Sequence, residues 1–238
     1  MRFPHYPLVL GHRGSPRELP ENTIASFRRA VQQGADGVEL DVQPAGDGTA
    51  VVIHDDTLDR TTTGTGLLRS LDWERIRALR AGDEPMARIE DAADWAVESG
   101  AWLNVEVKSA GAEPAALAAI REAGLLDHTL FSSFEIAVVR TLRDAAPDAD
   151  VFLLTDRWND EVRAVAVELG VGGVCLHDPL ATQEALGWLS ARGLRSVVWT
   201  VDDEARMELL MRAGVAAIIS NLPAVAAAVR RRMETRGR

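Results

Sequence analysis

Short hydrophobic runs rich in β-branched residues alternate with amphipathic, alanine-rich stretches along nearly the whole chain. This alternation is typical of parallel strands joined by crossover helices. Strands are predicted at approximately Leu8–His12, Gly37–Val42, Trp102–Val107, Thr129–Ser133, Val151–Thr155, Gly173–Leu176, Ser196–Val201 and Ala217–Ser220. Helices are predicted near Asn22–Gln33, Ile89–Glu98, Pro114–Ala123, Glu135–Ala145, Glu161–Leu169, Gln183–Ala191, Glu204–Arg212 and Ala224–Met233. This number of units fits an α/β fold of the (β/α)8 TIM barrel type better than an open doubly wound sheet.

One stretch, between residues 50 and 89, departs from this alternation. An extra extended run, AVVIHDD, is followed by a turn rich in threonine and glycine and by a short helix near Asp72–Leu79. We interpret this stretch as a small insertion at about residues 55–88, after the second βα unit, that lies over the barrel mouth. The 238 residues are otherwise free of repeats and linkers and are predicted to form a single domain over residues 1–238.

Composition narrows the classes of partner and the cellular location. The chain is 47% hydrophobic and 26% charged, and no segment approaches the roughly 18 uninterrupted apolar residues of a membrane span. The net charge of −10 argues against a nucleic-acid partner. The first residues lack the pattern of a signal peptide, and the single cysteine, Cys175, cannot form an intramolecular disulfide. A cytoplasmic location is therefore expected, while the oligomeric state stays open.

Charged residues interrupt two predicted strands that should be buried on both faces. Glu39 and Asp41 are two residues apart in one strand, which places both carboxylates on the same face. The same spacing places Asn104, Glu106 and Lys108 together in the next barrel strand. Buried charges are costly unless they are paired or bound to a metal. The three carboxylates are therefore predicted to converge around a cation inside the barrel mouth.

The kind of cation is only partly constrained. Hard oxygen ligands without a cysteine cluster favour Mg2+ or Ca2+ over zinc, and the sequence does not distinguish these two ions. The alternative interpretation is that the carboxylates pair with arginines at the strand ends.

Two of the five histidines end hydrophobic runs near these strands. His12 follows Leu-Val-Leu-Gly, and His54 follows Val-Val-Ile. A single histidine at a strand end is usually a core residue, but two beside a carboxylate cluster indicate acid–base chemistry near neutral pH. The remaining histidines, His5, His128 and His177, are expected to be structural.

The basic residues add a second signal. Lys108 is the only lysine among the 26 basic residues, and it is adjacent to the predicted ligand region. Its presence indicates a position that requires a compact point charge rather than a planar guanidinium. Arg13, next to His12, supplies a fork that suits phosphate oxygens. A cation, two histidines, an arginine and a lysine together suit a phosphodiester, whose transition state gathers negative charge on oxygen.

Several short segments, found in order along the chain, carry a resemblance to a known family. They are His12–Gly14, Pro20–Thr23, Glu39–Val42, His54–Asp55 with Leu58–Thr62, Glu106–Lys108 and Trp199–Val201. Through them the chain resembles the glycerophosphodiester phosphodiesterase family almost from end to end. One segment alone is weak, because Pro20–Thr23 also fits a helix start with Asn22 as its cap. The resemblance implies a TIM barrel with a short insertion.

The resemblance also implies an activity and the residues that carry it. The activity is hydrolysis of sn-glycerol 3-phospho-alcohols to glycerol 3-phosphate and an alcohol. The implied ligands of a divalent cation are Glu39, Asp41 and Glu106. His12 and His54 are implied to be the general acid and base, in an order that the sequence leaves open.

Three further residues are implied to contact the small-molecule substrate. Arg13 and Lys108 would contact the phosphate, and Trp199 would pack against the glycerol or another part of the substrate. The chain departs from the family pattern at Asp202, where asparagine is frequent, and at Ser220–Asn221, where Thr-Asp or Thr-Asn is usual. The preferred alcohol therefore stays open. Two rival readings are a related sphingomyelinase D-like phospholipase, which the single cysteine disfavours, and a barrel that binds ligand without catalysis.

Overall fold

The computed structural model describes residues 4–236 of the chain. The strands in this range are β1 (Leu8–His12), β2 (Gly37–Pro44), β3 (Ala50–Val52), β4 (Arg80–Ala81), β5 (Glu84–Pro85), β6 (Trp102–Val107), β7 (Thr129–Ser133), β8 (Asp150–Thr155), β9 (Gly173–His177), β10 (Arg195–Trp199) and β11 (Ala217–Ser220). The α-helices are α1 (Ile24–Gln32), α2 (Trp73–Ile76), α3 (Ile89–Ser99), α4 (Glu113–Glu122), α5 (Ile136–Ala145), α6 (Asp160–Glu168), α7 (Gln183–Ser190), α8 (Glu204–Arg212) and α9 (Pro223–Arg236).

Eight of these strands close into a parallel barrel. The order around the barrel is β1, β2, β6, β7, β8, β9, β10 and β11, and β11 pairs with β1 to complete the ring. A helix follows each strand or strand region before the next barrel strand begins. The predicted (β/α)8 TIM barrel is confirmed.

The start of the first helix differs from the prediction. Helix α1 begins at Ile24, and its N-cap is Thr23, whose side chain accepts a hydrogen bond from the Ser26 amide. Asn22 therefore does not cap the helix, because its backbone adopts a left-handed conformation with φ of 58° that turns its side chain elsewhere. The alternative interpretation of this segment, in which Asn22 caps the helix, is therefore wrong.

Alternation along the strands divides the hydrophobic residues between two layers. Val38 and Leu40 of β2 are buried in the core between the barrel and the helices, in one cluster with Phe27 of α1. A second cluster fills the barrel interior, and its members Leu154 and Ile219 also form part of the lining of a cavity at the mouth. Burying apolar surface stabilises the fold by roughly 25 cal/mol per Å². The acidic side chains of Glu39 and Glu106, by contrast, line the cavity at the mouth.

The predicted insertion forms a small substructure beside β2. Strand β3 pairs antiparallel with the end of β2, with Val52 opposite Val42. The segment that follows has its own buried cluster, which includes Leu58, Leu68 and Ile76. Its helix α2 is shorter than the predicted Asp72–Leu79, since Asp72 is its N-cap and Arg77 its C-cap.

No helix within residues 4–236 combines the length and the apolar character needed to cross a bilayer. The single domain over residues 1–238 stays a prediction.

Candidate active site

The register of three neighbouring strands brings the predicted acidic residues together. In the parallel pair β1–β2, His12 is the partner of Glu39, and in the pair β2–β6, Asp41 is the partner of Glu106. Because side chains alternate across a strand, Glu39 and Asp41 lie on the interior face. The three carboxylates are buried, and each offers an oxygen within 4.8 Å of the others. The structure therefore brings together the three side chains that the sequence predicted as cation ligands.

Burial makes this carboxylate cluster electrostatically unfavourable. Burial and the neighbouring charge of Asp41 raise the pKa of Glu39 well above its ordinary value. The same two causes raise the pKa of Glu106 to about 7. Glu39 Oε1 and Asp41 Oδ1 are buried and accept no hydrogen bond among the described residues. Oxygens that are buried without a donor fit a bound cation.

Two basic side chains offset part of the negative charge. Lys108 Nζ lies 2.6 Å from Glu106 Oε1 and 3.7 Å from Asp41 Oδ1. Arg13 Nε lies 3.1 Å from Asp41 Oδ2. Pairing between acids and basic residues, the alternative interpretation, is thus present in part. After this pairing, three carboxylates are opposed by only two positive charges, and Glu39 Oε1 has no partner among the described residues. A divalent cation therefore still fits the cluster.

His12 lies beside the cluster at the end of β1. Its Nδ1 is 2.7 Å from Asn221 Oδ1, and its Nε2 is 4.0 Å from Glu39 Oε2. Burial, and then the charge of Arg13, lowers the pKa of His12. The neutral imidazole is therefore favoured near neutral pH.

His54 is held by a chain of charged side chains at the rim. Its Nδ1 is 2.7 Å from Asp55 Oδ1, and Arg60 donates to both oxygens of Asp55, at 2.6 and 2.9 Å. Arg60 also donates to Glu21, at 2.9 and 3.1 Å, and Glu21 in turn accepts from Arg13 at 2.8 Å. The hydrogen bonds from Arg60, and then from His54, hold the pKa of Asp55 well below its usual range. The insertion thus connects His54 to the arginine beside the carboxylate cluster.

Asn22 braces the cluster from the side. Its Nδ2 donates to Asp41 Oδ2 at 2.8 Å, and its Oδ1 accepts from the Asp41 amide at 3.2 Å. Asn22 and Arg13 both have positive φ, 58° and 56°, and the Asn22 amide donates to the Arg13 carbonyl at 3.1 Å. Left-handed backbone at residues other than glycine costs on the order of 1–3 kcal/mol, and such residues cluster at functional sites. The two strained residues lie together beside the carboxylates.

A cavity of about 130 Å³ lies at the barrel mouth between these groups. Its lining consists of His12, Arg13, Glu39, His54, Asn104, Glu106, Lys108, Phe134, Leu154, Trp199 and Ile219. Asp41 lies behind this lining and is fully buried. Seven of the eight side chains predicted for the site therefore face one cavity, and the eighth supports it.

Aromatic side chains form one wall of this cavity. The Trp199 ring packs edge-on against Phe134, with centroids 5.6 Å apart, and it also contacts His177 at 5.0 Å. Lys108 Nζ lies 5.8 Å from the centre of the Phe134 ring. A larger cavity of about 220 Å³ adjoins this wall and shares Phe134 and Leu154 with it. No predicted site residue lines this larger cavity.

Several residues that the structure places in or beside the site were not predicted to act there. They are Glu21, Asn22, Asp55, Arg60, Phe134, Asp202 and Asn221. Four of them stand within the segments that carried the family resemblance, which was the available signal. Phe134 and Asn221 directly follow barrel strands, and such positions lie near the mouth of a TIM barrel.

Comparison with known proteins identifies a family. The model of the glycerophosphoryl diester phosphodiesterase family matches residues 12–225. A glycerophosphodiester phosphodiesterase of Caldanaerobacter subterraneus subsp. tengcongensis is 33% identical over 234 residues, covering 91% of this chain and 94% of that protein.

Solved structures give the same result. An Oleispira antarctica phosphodiesterase, solved in complex with the product sn-glycerol-3-phosphate, has 29% identity and a TM-score of 0.84, with coverage of 94% of this chain and 96% of that one. A glycerophosphodiester phosphodiesterase from Agrobacterium tumefaciens has 28% identity and a TM-score of 0.82, with coverage of 93% and 99%. The chain therefore belongs to the glycerophosphoryl diester phosphodiesterase family and is a phosphoric diester hydrolase.

Proposed function

We propose that this enzyme hydrolyses sn-glycerol 3-phospho-alcohols to glycerol 3-phosphate and the free alcohol, by general acid–base catalysis assisted by a divalent cation. The observation that carries the proposal is one cavity lined by two histidines and by carboxylates of a buried acidic cluster. The Oleispira antarctica relative, which holds sn-glycerol-3-phosphate, supports the choice of the glycerol half of the substrate.

The cation site is the cluster of Glu39, Asp41 and Glu106, and the proposed ion is Mg2+ or Ca2+. The all-oxygen ligand set and the two buried carboxylate oxygens that accept no hydrogen bond among the described residues support this choice. When bound, such an ion would neutralise charge on the phosphate and lower the pKa of a hydroxyl that it contacts.

Three residues are proposed to bind the substrate. Arg13 and Lys108 line the cavity with positive charge and would bind the non-bridging phosphate oxygens. Trp199 would pack its indole face against the carbon atoms of the glycerol. Its edge-on contact with Phe134 supports a fixed ring orientation for this role.

The surroundings of the two histidines suggest different roles. His12 is the proposed base, because burial and Arg13 favour its neutral form and its Nε2 is free to accept a proton. His54 is the proposed acid, because its Nδ1 contacts the carboxylate of Asp55 at 2.7 Å, which holds the ring in one orientation at the cavity. In the reaction His12 takes the proton of the attacking hydroxyl, whose oxygen bonds to phosphorus as the phosphorus–oxygen bond to the alcohol breaks, and His54 protonates the departing oxygen.

Two nucleophiles are compatible with these groups. The glycerol 2-hydroxyl would give a cyclic glycerol phosphate, which water then opens, whereas direct attack by water would give glycerol 3-phosphate in one step. A single-turnover experiment with rapid quenching separates the two routes. A transient cyclic product supports the first route, and its absence at every time and pH supports the second.

The experiment that tests the proposed function is product analysis with purified enzyme. Glycerophosphocholine and glycerophosphoethanolamine are incubated with enzyme and Mg2+, Ca2+ or Mn2+, and glycerol 3-phosphate is measured. Release by the wild type and by His5→Ala, whose side chain is exposed outside the cavity, together with loss in His54→Ala, is the expected result. No release from either substrate with any of these ions would refute the proposal. The cytoplasmic location and the lack of a nucleic-acid partner stay predictions of the sequence.

A further inference from the structure

The carboxylate of Asp202, which follows β10, determines the orientation of the Asn221 amide. Asp202 Oδ1 accepts hydrogen bonds from the Asn221 backbone amide at 2.9 Å and from Ser220 Oγ at 3.0 Å. Asp202 Oδ2 accepts from Asn221 Nδ2 at 2.9 Å. A carboxylate only accepts hydrogen bonds, so the NH2 group of Asn221 must face Asp202 and its oxygen must face the other way.

This orientation determines which nitrogen of His12 carries the proton. The oxygen of Asn221 faces His12 Nδ1 at 2.7 Å, and an amide oxygen can only accept. Nδ1 of the neutral imidazole therefore carries the hydrogen, which leaves a lone pair on Nε2. The tautomer of a histidine is assigned from its hydrogen-bond network, and here a carboxylate at the end of the network removes the ambiguity.

We infer that Asp202 and Asn221 are positioning residues that hold His12 in the Nδ1–H tautomer, so that its Nε2 can accept a proton. Neither side chain lines the catalytic cavity, so both act through His12. The inference rests on the proposed role of His12 as the base, but the tautomer itself can be measured without any assay of activity.

A single substitution should reverse the tautomer. In Asp202→Asn the new NH2 group would face the NH2 group of Asn221, and two donors cannot share a hydrogen bond. Rotation of the Asn221 amide relieves this conflict and turns its NH2 group toward His12 Nδ1. Nδ1 must then accept, so the proton moves to Nε2 and the base is lost.

A second substitution should restore the tautomer. In the double variant Asp202→Asn/Asn221→Asp, the new amide donates to the new carboxylate, which accepts from His12 Nδ1–H. The amide oxygen at position 202 still accepts from the backbone and from Ser220. Every hydrogen bond of the original network is thereby kept, and only the bond between the side chains at positions 202 and 221 reverses its direction. A merely structural role for Asp202 in the turn at Ser220 would not predict a change in tautomer.

The test combines nitrogen NMR with steady-state kinetics. Long-range 1H–15N spectra of histidine-labelled protein, with His12 assigned by its loss in His12→Gln, report the tautomer at a pH where the ring is neutral. The matched control is Asp203→Asn, the same change at the adjacent exposed helix cap, which retains a capping side chain.

The expected result has four parts. Wild type and Asp203→Asn show the Nδ1–H tautomer, and Asp202→Asn shows the Nε2–H tautomer. With glycerophosphocholine, kcat of Asp202→Asn falls by on the order of 10²–10⁴, as for loss of a general base, while KM changes by less than about threefold. The double variant regains the Nδ1–H tautomer and most of the lost kcat.

An Nε2–H tautomer in the wild type would overturn the inference, whatever the variants do. So would an Asp202→Asn protein that keeps both the Nδ1–H tautomer and full kcat. If the wild type shows the Nδ1–H tautomer but hydrolyses no glycerophosphodiester, the proposed function fails while the positioning of His12 stands. The two failures are therefore distinguishable.

Discussion

Asp41 and Glu106 are partners in the parallel pairing of β2 and β6, so two carboxylates lie side by side inside the barrel. Asp41 is fully buried, and Glu106 is 8% exposed. The two carboxylates have oxygens within 4.8 Å of each other. Two negative charges this close disfavour ionisation of one carboxylate unless a cation lies between them. This relationship links the stability of the fold to pH and to the bound ion.

The cation-free protein should lose stability as pH rises. Because burial and Asp41 raise the pKa of Glu106 to about 7, the folded protein keeps a proton that the unfolded chain releases at its lower, ordinary pKa. The stabilisation is complete below the unfolded pKa and is lost as pH rises through about 7. The melting temperature measured in the presence of a chelator should therefore fall as pH rises from acidic to mildly alkaline. Each kcal/mol of lost unfolding free energy lowers the melting temperature by roughly 2–4 °C.

Two additions to this experiment identify the cause. Excess Mg2+ or Ca2+ should restore the melting temperature at the higher pH, because the ion binds the ionised carboxylates of the folded state. In chelator, the melting temperature of Glu106→Gln should change less with pH than that of the wild type. A wild-type melting temperature that rises with pH in chelator would contradict the electrostatic account of the cluster.

The leaving group should reveal which histidine is the acid. His54→Ala should lower kcat by on the order of 10²–10⁴ with glycerophosphocholine, whose alcohol needs a proton as it departs. With a nitrophenyl diester the loss should be much smaller, because nitrophenolate departs without a proton. His12→Ala, which removes the proposed base, should lose activity with both substrates. Equal losses for His54→Ala on the two substrates would exclude it as the acid.

The insertion should support catalysis through Arg60. Arg60→Met removes the donors that hold Asp55 beside His54 and connect it to Glu21. The Arg60 side chain is 47% exposed, so solvent screening limits the effect to about 1 kcal/mol, or roughly a fivefold fall in kcat. The measurement is kcat of Arg60→Met and of the wild type at low and at high salt. The difference in kcat between the two proteins should be smaller at high salt. Arg77→Met, which removes an exposed ion pair with Glu74, is the matched control and should behave as wild type.

The barrel and the acidic cluster could be predicted because both depend on local patterns. Alternation of charged and aliphatic residues at Glu39 and Asp41 is visible within five residues of sequence. Because a strand of a parallel barrel is buried on both faces, charged residues within it indicate a binding or catalytic site. The position of Glu106 beside Asp41 needed only the assumption that the two strands are neighbours.

The contacts of Asn22 and Asn221 could not be predicted, because they join separate parts of the chain. Asn221 lies 209 residues from His12 in the sequence, and no local pattern relates them. The residue type of Asn22 also suited a helix cap, whereas in the structure it has a positive φ and contacts Asp41. Sequence spacing placed Lys108 on the same strand face as Glu106, but the 2.6 Å contact between their charged groups depends on the geometry at the end of β6.

The most direct test of the account is glycerol 3-phosphate release by chelator-treated protein as Mg2+, Ca2+ or Mn2+ is titrated back, with Glu39→Gln measured in parallel. The account predicts almost no release in chelator, saturable recovery of the wild type with at least one ion, and weak or absent recovery in Glu39→Gln. Full turnover by the wild type in excess chelator, or an unchanged ion titration in Glu39→Gln, would contradict it.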